Sequence, residues 1–298
     1  MPNLLLVLTG ADQWTLDDGQ RHPTGFWAEE LTAPMGIFRD AGVDVTVATP
    51  GGVRPTVDDA SLSPDRVGGE DRAARLRAQL EALADDVDAP AALEDVSPGD
   101  YDGVFIPGGH GPMEDLTVSP ELGRLLVTML DDDKVIGAVC HGPAALLSAE
   151  RPDGSWAFSG RDLAGFTNEE ETQAGLADRA SWLLEDRMRE AGGNFDSGPA
   201  WQPFSVVDEN VVTGQNPASS TEVAEKTVEA LDRRAHWIHV VPREGQWTFK
   251  HERGEPLGAF RTQKEAIEAA KEHGRAHGDW ELVIHGRSGR IRDAVAIH

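Results

Sequence analysis

The chain has 298 residues, 39% of them hydrophobic, and its 52 acidic against 27 basic residues leave a formal charge of −25. That length holds two domains or one large one, and that charge excludes nucleic-acid binding by general electrostatics and disfavours anionic membranes. One cysteine excludes an intramolecular disulfide and suits a reducing cytoplasm, and no apolar run approaches a membrane span.

The first run, Leu4–Leu8, reads as a strand covered on both faces; without a basic flank or a cleavage site it is not a signal peptide. A polar loop follows to Thr24. Phe26, Leu31, Ile37 and Phe38 then recur at roughly helical spacing, and Pro34 is expected to break or kink that helix. Val43–Ala48 is a second strand after Gly42, so strand, helix and strand form a βαβ unit and imply a parallel sheet. Pro50–Pro64 reads as a loop, Glu70–Ala84 as an amphipathic helix, and Tyr101–Ile106 as a strand. That strand ends in Pro107-Gly108-Gly109-His110-Gly111, whose glycines let backbone N–H groups approach a ligand. Ser119–Leu130 is a helix, and Val135–Val139 a buried strand that stops at Cys140. A helix-type run follows, with Gly142 and Pro143 at the boundary. Beyond it, Gly154–Arg161 is hairpin-like, Thr167 or Asn168 caps the next segment, and Ala180–Glu190 is helical. Val206-Val207 and Val211-Val212 bracket a turn, and Asn216–Ser220 starts a helix reaching Arg233.

From His236 the pattern changes. Alternating strands at His236–Pro242 and Gln246–His251 precede a helix at Gln263–His277, and strands at Trp280–His285 and Ile291–Ile297 follow it. The domains are therefore expected at 1–234, an α/β unit with a doubly wound, mostly parallel sheet, and at 236–298, a small α+β unit. Acidic residues are dispersed along the chain and lysines are few, as expected for work in high salt or for an acidic proteome.

Cys140 carries the chemistry. A thiol at a strand-to-helix corner resembles the nucleophile elbow of hydrolases, and a helix N-terminus aimed at the sulfur is expected to depress its pKa. His141 tethers an imidazole beside it. The N–H groups of His141 and Gly109, both at carboxyl ends of adjacent strands, could form an oxyanion pocket. An orienting carboxylate for His141 could come from Glu169–Glu171, and a second carboxyl from Glu29 or Glu30, between which spacing does not choose. His273 and His277 stand i,i+4 with no third ligand near in sequence, so no metal is expected, and no cofactor. Trp237, Trp247 and Trp280 read as core.

Five stretches together resemble a known family: Thr24-Gly25 through Glu29-Glu30 to Pro34, Phe105–Gly111, Ala138–Pro143, Gly165–Glu171 and Thr213–Ser219. They are similar to the class I glutamine-amidotransferase-like superfamily, in the branch of the PfpI proteases and the parkinsonism-associated deglycase, nearest the heat-shock chaperone and glutathione-independent glyoxalase group. The resemblance implies a flavodoxin-like fold with Cys140 as nucleophile, His141 as its histidine, Glu171 as third member and Glu30 as the thiol-paired carboxylate. It implies conversion of 2-oxoaldehydes such as methylglyoxal to 2-hydroxy acids without glutathione, or a related deglycase activity in stress protection. A stress chaperone or redox-sensing binding protein is the alternative. The expected partner is a small reactive carbonyl compound, with no nucleic acid and no membrane, in a cytoplasmic homodimer or other homo-oligomer. No His-x-Glu element precedes Arg233, which argues against glutamine hydrolysis. The tail resembles a short bacterial and archaeal domain of unknown function.

Overall fold

The apolar runs become the strands of a seven-stranded sheet: β1 Asn3–Val7, β2 Asp44–Thr49, β3 Ala91–Ala92, β4 Gly103–Ile106, β5 Val135–Val139, β6 Ser205–Asp208 and β7 Val211–Gly214. The structure is a computed structural model that describes residues 1–251, 254–277 and 280–297. The chain divides into two units, Met1–Val228 and Glu229–His298.

In the first unit the strand order is β6-β7-β5-β4-β1-β2-β3, and every pairing is parallel except the β6–β7 hairpin. Every residue of β4, β5 and β7 is buried, as continuous apolar strands covered on both faces require. The longer helices that precede the second sheet are α1 Ala28–Asp40, α2 Glu70–Ala82, α3 Pro120–Asp131, α4 Asn168–Ala174, α5 Leu184–Glu190 and α6 Ser220–Ala235. This is the flavodoxin-like, doubly wound sheet. The chain leaves β1 for β2 on one side and returns to β4 on the other. That reversal opens a crevice at the carboxyl ends of β1 and β4, where such sheets bind ligands.

The second unit is a five-stranded sheet with β8 Trp237–Arg243, β9 Gln246–His251, β10 Leu257–Phe260, β11 Trp280–His285 and β12 Ile291–Ile297, in the order β10-β9-β8-β11-β12. Helix α7, Gln263–His277, supplies Ala266 and Ala270 to a core with Ile238, Val240, Phe249 and Leu282. Trp247 joins that core, whereas Trp237 and Trp280 are partly buried. Among the described residues no helix is long and apolar enough to cross a membrane.

Several local expectations are corrected. Pro34 lies inside α1 and does not end it. The backbone bond it forfeits is the one to the Glu30 carbonyl, and burial of Leu31, Met35 and Phe38 outweighs that loss. The run after Cys140 is a seven-residue 3₁₀ segment, Gly142–Ser148, and not an α-helix. It ends against α3, where a Cβ on Gly123 would stand 2.1 Å from the Ser148 carbonyl oxygen. The hairpin-like feature expected at Gly154–Arg161 is a single antiparallel bridge, Glu150 to Trp156, around a tight turn that starts earlier in the chain, and the helix expected from Ala180 begins only at Leu184. β10 was not anticipated, because it is four residues long, contains Gly258 and pairs with a register shift.

Candidate active site

Three strand ends build the site. After β1 the chain enters α1 and brings in Glu30; after β4 come Gly108, Gly109 and His110; after β5 come Cys140 and His141. Cys140 has φ of 60°, a left-handed conformation that costs a non-glycine residue about 1–3 kcal/mol. Two bonds hold it there: its N–H donates to the Gly214 carbonyl at 2.9 Å, and its carbonyl accepts from the Phe166 N–H at 2.9 Å. Glycine is required next to it. A Cβ on Gly142 would lie 2.1 Å from the Ile106 oxygen, and one on Gly108 would lie 2.6 Å from the His141 nitrogen and 2.8 Å from Glu30 Oε2.

Glu30 is fully buried beneath the thiol. Its Oε2 accepts the Gly108 N–H at 2.6 Å, while Oε1 is buried with no partner of ordinary hydrogen-bond geometry. Burial raises its pKa to about 8 against the opposing pull of the Gly108 N–H and the Cys140 thiol. Glu29, which spacing could not separate from Glu30, points elsewhere and pairs with Arg72.

The thiol does not follow expectation. Burial pushes the Cys140 thiol well above its usual value and the neighbouring Glu30 adds to this, with only the Gly109 N–H opposing. The expected depression fails for two physical reasons. The 3₁₀ segment is too short to present much of a dipole, and a carboxyl buried beside the sulfur disfavours a second negative charge there.

On the other flank of the sulfur, His141 Nδ1 stands 3.4 Å from Cys140 Sγ and Nε2 stands 2.7 Å from Glu171 Oε2. The second oxygen of Glu171 meets His110 Nε2 at 2.9 Å. Burial alone would raise the Glu171 carboxyl, but His141 and His110 outweigh it and hold the carboxyl well below the usual range. Burial, then the neighbouring His110, lowers the His141 pKa against the pull of Glu171. The consistent assignment is a neutral His141 whose Nε2–H donates to an ionised Glu171, leaving Nδ1 to accept the thiol proton.

The cluster at 169–171 is sorted by α4. Glu170 forms a capping box with Thr167 and accepts from the Trp201 N–H, Gln215 Nε2 and Asn216 Nδ2, so it holds the backbone in place. Glu171 is thereby left facing the imidazoles. His110 is the site residue that the sequence does not single out, because it sits inside a glycine cluster. Its ring stacks on Trp14 with centroids 4.9 Å apart and lies 4.2 Å from His141. Cys140, His110 and His141 open on a cavity of about 580 Å³ walled by Trp27, Phe166 and Trp201. Trp27 and Phe166 fall within the family-like stretches, but no sequence signal marked Trp201.

His110, His141 and Glu171 present ligand atoms within 4.8 Å of one another, but both Nε2 atoms already bond to the carboxylate, which satisfies the trio without an ion. Of the His273 and His277 pair, the His277 side chain lies outside the described residues.

The chain is similar to several known proteins. The chain is 30% identical over 241 residues to Glyoxalase 3 of Candida albicans, covering 78% of this chain and 99% of that one. It is 28% identical to the glutathione-independent glyoxalase HSP31 of Saccharomyces cerevisiae, covering 76% and 97%. It is 27% identical to the protein/nucleic acid deglycase HchA of Staphylococcus aureus, covering 76% and 79%. Among solved structures, Rapid Encystment Protein 24 kDa of Francisella tularensis superposes with a TM-score of 0.68 at 28% identity, covering 78% of this chain and 99% of that one. Glyoxalase III of Candida albicans does so at 0.64 and 26%, covering 77% and 97%. Residues 238–295 match DUF2188, an uncharacterized protein family conserved in bacteria. Residues 23–230 match the DJ-1/PfpI family, so the chain belongs to that family.

Proposed function

We propose that the protein is a cysteine-dependent, glutathione-independent glyoxalase that converts 2-oxoaldehydes such as methylglyoxal to 2-hydroxy acids. The observation that carries this reading is that one sulfur lies between two proton carriers of different character, Glu30 and His141. Relatives named glyoxalase support it.

In this reading Cys140 Sγ attacks the aldehyde carbon and passes its proton to His141 Nδ1. The oxyanion is met by the N–H groups of Gly109 and His141, then takes the proton back to give a hemithioacetal. The ionised fraction of Glu30 removes the hydrogen from the former aldehyde carbon and returns it to the adjacent carbon. The product is a 2-hydroxyacyl thioester. Water, activated by His141, hydrolyses that thioester, releasing the 2-hydroxy acid and the thiol. The net change is addition of one water. Because Glu30 must be ionised to act, activity should rise with pH toward about 8.

A second reading rests on the cavity, which at about 580 Å³ is far wider than a three-carbon aldehyde needs. That width favours glycated side chains or nucleotides as further substrates, as the name of the deglycase relative suggests. We also propose a cytoplasmic setting, consistent with one unpaired cysteine, and assembly as a homodimer or other homo-oligomer, which size-exclusion chromatography with light scattering checks. The test of the main reading is methylglyoxal loss and lactate gain without glutathione, for wild type and Cys140→Ala. Turnover by wild type alone supports it; no turnover by folded wild type overturns it.

A further inference from the structure

The charge of this chain is unevenly divided. Residues 1–235 hold 17 basic and 43 acidic residues, whereas residues 236–298 hold 10 basic and nine acidic ones. In the first unit, surface arginines commonly meet a carboxylate, as Arg39, Arg54, Arg72, Arg151 and Arg161 do. In the second unit Arg261, Arg287 and Arg292 form no ion pair among the described residues, yet all three line one cleft of about 280 Å³. Like charges gathered in a concavity repel one another and focus a positive field.

The cleft is built from fixed parts. One lining residue is Trp247, which is only 8% exposed and belongs to the core of this unit. Gln263 Nε2 donates to the His285 carbonyl at 2.7 Å and ties the start of α7 to β11. The turn carrying Arg287 is closed by Gly286 N–H to the Arg290 carbonyl at 2.8 Å and by Gly289 N–H to the Gly286 carbonyl at 3.0 Å. His285 Nδ1 adds a bond to the Gly289 carbonyl at 2.8 Å. The nearby carboxylate of Glu265 is engaged by the Thr262 N–H at 3.0 Å. Three arginines from three separate chain segments, the turn before α7, the β11–β12 turn and β12, thus line one cleft, and guanidinium forks match the oxygens of a phosphate group.

We propose that this cleft of the C-terminal unit is a binding site for a phosphomonoester, with Arg261, Arg287 and Arg292 as its anion-holding side chains. Inorganic phosphate and a mononucleotide share that chemistry. A short single-stranded oligonucleotide lacks the terminal dianion when its ends are unphosphorylated and so separates a phosphomonoester pocket from a nucleic-acid surface.

The test is isothermal titration calorimetry of the full chain at physiological salt with those three probes. Phosphate and the mononucleotide should bind saturably at one site and the oligonucleotide no better than either. The Arg287→Ser/Arg292→Ser pair should weaken binding at least about tenfold, since two charge-assisted contacts are removed. Arg261→Gln, on a separate segment, should give a smaller but measurable loss, as one such contact is removed, without touching the β11–β12 turn. Arg275→Ser, on exposed α7 surface outside the cleft, should change nothing. The proposal is overturned if neither phosphate nor the mononucleotide binds saturably, if Arg275→Ser weakens binding as much as the cleft variants, or if only the oligonucleotide binds.

Discussion

Glu30 and Glu171 stand on opposite flanks of the same cysteine, both nearly inaccessible to water, and their ionisation is driven in opposite directions. Glu30 has one amide donor, a buried oxygen without an ordinary partner and an acidic thiol for a neighbour, and its pKa rises to about 8. Glu171 has an imidazole on each oxygen, and its pKa falls well below the usual range. Burial acts on both in the same sense, so the partners decide. Two carboxyl groups whose surroundings push them apart mark a division between a group that moves protons and one that holds charge.

Removing the proton carrier should have the largest effect. Glu30→Gln keeps the shape and the acceptor for Gly108 but cannot take a proton from carbon, so kcat on methylglyoxal should fall by ~10²–10⁴-fold, with circular dichroism unchanged. Glu171→Gln should cost less. The amide oxygen can still accept from His141 Nε2 while the amide NH₂ turns to His110, so the His141 tautomer survives. A kcat loss of roughly tenfold to a hundredfold is expected for a charged hydrogen bond made neutral. Equal losses in the two variants would erase the distinction between the carboxyls.

His110 should come next. His110→Phe keeps the ring stack on Trp14 and removes the bond to Glu171 Oε1, whereas His110→Gln can restore a donor. We expect a loss of a few-fold in kcat for the former and partial rescue by the latter, on the scale of one hydrogen bond. The pH profile should shift as well, because Glu171 and His141 titrate with one partner fewer.

The smallest effect sharpens the comparison through stability. The raised Glu30 pKa means that folding favours its neutral form: that stability is fully present below the unfolded glutamate value and is lost as pH rises through about 8. Glu30→Gln should therefore gain Tm over wild type above about pH 8, and the gain should vanish toward acid. Glu171 has the opposite sign. Its contribution is present above the unfolded value and lost in acid, as pH falls through its depressed folded value. Glu171→Gln should lower Tm at neutral pH, with the gap closing toward acid.

Much of the frame was legible in the sequence because buried parallel strands are written as continuous apolar runs, and β1, β4 and β5 announce themselves that way. The elbow was legible because Cys140 interrupts such a run and glycine follows it. Residue-level geometry was less so. The segment after Cys140 carries an α-helical composition, yet close packing holds it to a short 3₁₀ turn, and the thiol loses the dipole it was expected to have. Glu29 and Glu30 are indistinguishable by spacing, because which one turns inward depends on the helix rotation set by Phe38 and Leu31 in the core. His110 was hidden by its neighbours: two glycines suggested a backbone role, and only the fold shows Glu171 arriving from 61 residues away.

The central claim, that surroundings separate the two glutamates, is most directly measured by the carboxyl ¹³C resonances of Glu30 and Glu171 in glutamate-labelled protein. Assignment comes from the two Gln variants. The account predicts that Glu30 titrates near 8 while Glu171 stays ionised down to the acid limit of folding. If both instead titrate together near the ordinary glutamate value of about 4.3, or if Glu171 takes up its proton at a higher pH than Glu30 does, the claim is contradicted.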